Sequence, residues 1–428
     1  MKLRFKVFFS FMLTIWLLSI SSFANAHSIP TSYNPAPNSV LEQSPENVTI
    51  IFNSKIENNL FSLKVFNAQQ QEVTEQDALL DSSQKELSVT LPQLSNGIYT
   101  VKFNVVSSDG HPVQDSYSFS VQSPELDQPS SVIPNKEWNT PAPNIETPDL
   151  NQPSSESAVN NFSLYNLFIY LIRGFYYFGL LWIVGWLFWK FTLTTKGKTI
   201  PENYEQWGII AQMVHLFGLT SMILVQIIDI TDSGLMFNPE IPITSIFGLT
   251  WIGSFILSLL GFIFLFKSKW IDVIWLLSIL MLKGLNGHSS DFEPMSLIIG
   301  LNTVHLIGAA IWCSGLIFIM VYWKKQRVHV NEFLPIFSNY AFLSLVIMMI
   351  SGTVLSIIYL PDIHSLFYTQ WGLMLLFKII LVITVAFVGL SIRKRMKVTF
   401  NNRLKKFLII DFILMVLIIG LVSILTYI

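Results

Sequence analysis

The sequence predicts a small Greek-key β-sandwich or barrel followed by a bundle of eight transmembrane helices. Three observations carry this prediction. Apolar residues alternate with polar ones over residues 27–121, apolar runs longer than the ~18 residues that mark a membrane helix recur after residue 162, and 52% of residues are hydrophobic against 12% charged. Soluble domains carry roughly 25% charged residues, so most of this chain of 428 residues belongs in a lipid bilayer. No basic stripe points to nucleic acid. No phosphate-binding loop points to nucleotide hydrolysis, and the reading is of a protein that is not an enzyme.

Residues 1–26 read as a signal peptide, with Lys2, Arg4 and Lys6 ahead of an apolar run and the small residues Ala24 and Ala26 at a cleavage site. An uncleaved helical anchor is the alternative; cleavage makes His27 the first residue. In residues 27–121, Tyr99, Val101, Phe103 and Val105 interleave with Thr100, Lys102 and Asn104, and Tyr117, Phe119 and Val121 interleave with serines. Short runs of this kind separated by Asn, Ser, Pro and Gly suggest a β-sandwich. Residues 122–160 hold seven prolines and no apolar period, and read as a disordered, solvated linker.

The membrane domain, residues 161–428, divides into spans near 163–189, 207–230, 246–266, 270–287, 295–323, 333–360, 371–392 and 407–428. With the N-terminal domain outside, the loops on the opposite side hold 15 Lys and Arg and the loops on its own side hold none. That bias sets the orientation: a multi-pass protein of the cytoplasmic membrane with the N-terminal domain and the C-terminus extracytoplasmic. The boundary between the third and fourth spans is the weakest, since only Lys267, Ser268 and Lys269 separate two apolar stretches.

Cleavage would give His27 a free α-amine beside its imidazole, a two-nitrogen chelate that favours Cu(II). In SSDGHPV, Asp109 and His111 flank Gly110, and in an extended or turning segment both side chains can converge on one face. The alternative is an ordinary Asp-Gly hairpin turn. Between residues 27 and 160 there is neither Met nor Cys, so the soft ligands that select Cu(I) are missing from this domain. The single cysteine, Cys313, excludes an internal disulfide.

HSIPTSYNPAPNSVL (27–41) resembles the opening of the bacterial copper-binding CopC family, and VVSSDGHPVQDSYSFSV (105–121) resembles its closing strands. The resemblance implies a Cu(II) site formed by the positions matching the family's ligands: His27, Asp109 and His111.

Ionisable groups inside spans are costly and therefore functional candidates. His215 in the second span and His305 in the fifth lie at similar depth by helical rise, His288 at the mouth of the fourth and His364 in the loop after the sixth. These four are the candidate copper path, with Met213, Met222, Met281, Met295, Met348 and Met349 as possible thioethers for Cu(I). The alternative for each histidine is a hydrogen bond between helices. Arg173, Lys283 and Lys378 are poor ligands that can pair with Asp229 or balance a site.

NTVHLIGAAIWCSGL (302–316), LNGHSS (285–290), ISGTVL (350–355) and TQWGLMLLFK (369–378) resemble the CopD membrane family, and the whole order resembles the fused CopC/CopD copper transport proteins. The resemblance implies copper uptake across the membrane, with Cu(II) captured outside and passed inward to a cytoplasmic acceptor that the sequence does not identify. Two alternatives stay open: copper tolerance by export or sequestration, and a haem held between His215 and His305 in an electron-transfer protein.

Overall fold

The computed structural model describes residues 29–108, 110, 112–122, 164–232, 246–286, 294–360, 364–396 and 402–427. The alternating segments build two four-stranded sheets. In the first, β1 (Pro30–Asn34), β3 (Asn47–Phe52), β6 (Glu86–Thr90) and β5 (Leu79–Leu80) lie side by side in that order. In the second the order is β2 (Val40–Leu41), β8 (Pro112–Val121), β7 (Gly97–Ser107) and β4 (Ile56–Asn67). All pairings are antiparallel except the short parallel one of β2 with β8.

Period two places Tyr99, Val101, Phe103 and Val105 of β7 in the core while Lys102 faces water. Val48, Ile50 and Phe52 of β3 meet them from the other sheet, with the Phe52 and Phe103 rings edge to face at 5.7 Å. The two sheets enclose one core between them, and among the described residues no strand pairing joins them into a closed barrel.

The membrane domain runs through α1 (Leu164–Thr195), α2 (Tyr204–Asp232), α3 (Ile246–Phe264), α4 (Lys269–Leu285), α5 (Met295–Tyr322), α6 (Arg327–Tyr359), the short α7 (Ser365–Tyr368), α8 (Gln370–Met396) and α9 (Asn402–Leu425). Among the described residues, seven helices are long and apolar enough to cross a membrane. The expected fourth span, α4, has 17 residues and carries Lys269, Asp272 and Lys283 near its ends. That length sits at the lower limit of ~17–25 residues for a crossing.

The weak boundary between the third and fourth spans is a hairpin. Phe266 adopts φ +69°, its N–H donates to Asp272 Oδ1 at 2.9 Å, and its carbonyl accepts from Lys190 Nζ at 2.7 Å. The returning helix is fastened by Trp275 Nε1, which donates to the Leu257 carbonyl at 2.7 Å.

Helix α1 stands between α2 and α5. A Cβ on Gly179 would lie 2.4 Å from the His215 amide nitrogen, and one on Gly185 would lie 2.1 Å from the Ala310 carbonyl oxygen. Such backbone contact between helices requires glycine. By contrast, α6 and α8 leave large apolar side chains uncovered by protein, among them Phe342, Ile357, Ile383 and Phe387, as helices facing lipid do.

Candidate functional site

His27, Asp109 and His111 lie outside the described residues, as does His288. Their described neighbours converge. Ile29 exchanges two hydrogen bonds with Asn53: its N–H donates to Asn53 Oδ1 at 2.8 Å, and its carbonyl accepts from the Asn53 N–H at 3.1 Å. The Ser108 N–H donates to the Lys55 carbonyl at 3.0 Å, and Ser107 pairs with Ile56 in the sheet. The residue two places after His27 and the residue just before Asp109 are thus anchored on one turn, residues 53–56. Gly110 closes the β7–β8 connection with its N–H on the Ser107 carbonyl at 2.7 Å and φ +88°, a conformation that glycine adopts without a Cβ penalty.

The same corner of the β-domain rests on the ends of α2 and α3 remote from the lysine-rich loops. Gln226 Nε2 of α2 donates to the Gly110 carbonyl, and a Cβ on Gly110 would lie 2.3 Å from the Phe247 ring of α3. The Phe247 N–H, in the first turn of α3, donates to the buried carboxylate of Glu57 at 3.2 Å. A carboxylate at that place satisfies an orphan helix N–H and complements the helix dipole. Leu60, Val106, Ile230 and Phe247 surround these polar bonds with an apolar cluster.

Inside the bundle the two histidines that helical rise places at one depth have different partners. His215 is fully buried, and its Nδ1 lies 3.2 Å from Ser258 Oγ of α3, which also accepts from Gln212 Nε2 at 3.0 Å. His215 Nε2 has no hydrogen-bond partner. His305 instead turns its Nδ1 to Ser351 Oγ of α6 at 3.0 Å. The two rings thus hydrogen-bond to different helices, His215 to α3 and His305 to α6. His364 caps α7 as an exposed side chain, with its carbonyl accepting from the Phe367 N–H at 3.0 Å.

The charged and thioether candidates sort themselves as well. Arg173 does not pair with Asp229: it donates to the Thr426 carbonyl and lies over the Tyr427 ring at 5.5 Å, while Asp229 accepts from the Tyr165 hydroxyl. Lys283 Nζ lies 3.4 Å from the Asn286 carbonyl. Met213, Met281 and Met349 are exposed on the helix surfaces, whereas Met222 is buried on the same face of α2 as His215. Two residues were not anticipated. Asp411 of α9 is buried with its Oδ1 unpartnered, and Glu57 is buried at the junction. Asp411 was legible as a carboxylate within the eighth apolar run; Glu57, in a strand, carried no such signal. Among the described residues no three His, Cys, Asp or Glu side chains gather as a metal cluster.

In the β-domain, Asp81 is a strongly perturbed carboxylate. Burial raises its pKa, but the hydrogen bonds it accepts from Ser83, Lys85 and Glu86 outweigh that and hold it down at about 2. Burial first, and Tyr33 second, push the Tyr117 phenol well above its ordinary value.

Comparison with known proteins matches the CopC domain over residues 30–122 and the family described as Copper resistance protein D, or CopD, over residues 331–425. The Copper transport protein CutJ of Bacillus subtilis is 24% identical over 393 residues, which is 86% of this chain and 67% of that protein. Protein YobA of Escherichia coli K12 is 33% identical over 112 residues, 26% of this chain and 89% of YobA. Among solved structures, CopC from Methylosinus trichosporium OB3b is 30% identical and is covered completely by 24% of this chain, with a TM-score of 0.23. With one copper-protein domain in its sheets and the other in its apolar helices, the chain belongs to the CopC/CopD family of bacterial copper-resistance and copper-transport fusion proteins.

Proposed function

We propose that this protein binds Cu(II) outside the cell membrane through His27, Asp109 and His111 and passes copper through its helices. The observation that supports the site is the turn at residues 53–56, which anchors the chain next to His27 and next to Asp109 together. One imidazole-amine chelate, a second imidazole and a carboxylate form a nitrogen-rich set that suits Cu(II). We place the β-domain and C-terminus on the extracytoplasmic side, with eight crossings, a signal peptide over residues 1–26 and a linker over 122–160. The β-domain's seat on the helix ends remote from Lys190, Lys267 and Lys269 supports that orientation.

For the direction of movement, the resistance named in the CopD family description favours tolerance, by export or sequestration. Uptake rests on the capture-first order of an acidic outer domain ahead of the membrane domain. Cellular copper content in a deletion strain separates them. Excess copper and sensitivity in the deletion strain at high external copper support tolerance. A deficit under copper limitation supports uptake, and unchanged content and growth in both conditions refute copper movement by this protein.

A further inference from the structure

We propose that the seam between α2 and α3 is the route by which copper passes between the two domains, entered at the seated Gly110 turn and led inward past Met222 to the free nitrogen of His215. This deepens the reading above and rests on it.

His215, Leu219, Met222 and Gln226 follow one another at spacings of four, three and four, so they share one face of α2, and all four are buried. Across the seam α3 runs in the opposite sense. Its Phe247 meets the β-domain where Gln226 does, and its Ser258 meets His215. The route from Gln226 to His215 therefore follows about 16 Å of helix.

The seam is lined by polarity that a purely structural contact does not need. His215 Nε2 and Trp251 Nε1 are both buried without a hydrogen-bond partner, and the Tyr176 ring of α1 lies 5.7 Å from the His215 ring and 6.4 Å from Trp251. Leaving such groups unsatisfied costs about 1–3 kcal/mol each. His215 is also held as metal-binding histidines are: Ser258, itself fixed by Gln212, takes one ring nitrogen and orients the other. The entrance abuts the copper-site segment, because Asp109 and His111 are the chain neighbours of the residue that Gln226 holds. His305, in its separate seam, is off this route.

The test uses the full-length protein in proteoliposomes supplied with labelled copper, with and without ascorbate. Gln226→Leu and His215→Gln are each expected to slow copper movement about tenfold, the lower end of what loss of one ligand or of its support costs. Cu(II) binding by the β-domain should stay unchanged, and His305→Gln should move copper normally. In parallel, Leu60→Cys with Phe247→Cys in a Cys313→Ser background is expected to be joined by a short bis-maleimide in membranes. Normal movement in either seam variant, or no crosslink, overturns the route. If the unsubstituted protein moves no copper while the crosslink forms, the reading of copper passage itself fails and the route falls with it. Retained Cu(II) binding and an unaltered melting temperature distinguish a blocked route from a misfolded variant.

Discussion

Trp186 and Tyr204 hold each other by two reciprocal hydrogen bonds. The Trp186 indole N–H donates to the Tyr204 carbonyl at 2.9 Å, the Tyr204 hydroxyl donates to the Trp186 carbonyl at 2.7 Å, and the rings stack at 4.5 Å. Both side chains are buried, so this pair clamps the start of α2 to α1. Tyr204→Phe, which keeps the stack and deletes one bond, is expected to cost about 1 kcal/mol. Trp186→Ala removes the indole and leaves a cavity, at about 3–5 kcal/mol. Thermal unfolding in detergent reads both, and equal losses would show that the stack contributes nothing.

Glycines in the bundle divide by what surrounds them. Gly179→Leu forces a side chain onto the His215 backbone and is expected to lower the melting temperature by several degrees, an overpacking cost of about 1–3 kcal/mol. Gly300→Ala meets open space within helix α5 and is expected to stabilise by about 0.5–1 kcal/mol through helix propensity. The opposite order in melting temperature would contradict the packing of α1 on α2.

Asp81 gives the β-domain an acid limit. Its folded pKa of about 2 lies below the ordinary 3.8, so its contribution is present above pH 3.8 and disappears as the pH falls from there toward 2. Asp81→Asn is expected to flatten the stability profile in that window and leave it unchanged in shape near pH 7. Urea unfolding from pH 2 to 7 measures this; an identical slope in the variant would remove Asp81 as the cause.

The buried carboxylate of Asp411 carries an unpartnered oxygen. Asp411→Asn keeps the shape and removes a buried ionisable carboxyl, so the melting temperature is expected to hold or to rise by a few degrees. A loss of about 3–5 kcal/mol would instead reveal a charged partner broken by the substitution.

His27→Ala is expected to reduce Cu(II) affinity at least about tenfold by removing an imidazole from the chelate. Isothermal titration of the full-length protein with Cu(II) measures it, with Asp81→Asn as the folding control.

Much of this architecture was legible because it depends on local periodicity. Alternation in Tyr99–Val101–Phe103–Val105 locates a core strand, and apolar length with loop charge locates the helices, including the break at Lys267 that Phe266 and Asp272 enforce. The relation of His215 to His305 was not legible. Rise per residue gives depth along a helix axis, but it does not say which neighbour each ring faces, and here His215 meets Ser258 while His305 meets Ser351. The seat of Gly110 on Gln226 and Phe247 was equally hidden, since it joins residues 116 positions apart in sequence. The resemblance of the two segments to CopC supplied the ligand assignment that spacing alone left balanced against a hairpin turn.

The glycines of α1 also have a mechanical meaning. A helix whose backbone touches α2 at Gly179 and α5 at Gly185 has no side-chain cushion on which to slide, so it acts as a fixed post with two walls bolted to it. The contact continues outward, since a Cβ on Gly308 of α5 would lie 3.2 Å from the Ser344 carbonyl oxygen of α6. The β-domain, held by Gln226 of α2 and by the first turn of α3, is tied to the same post.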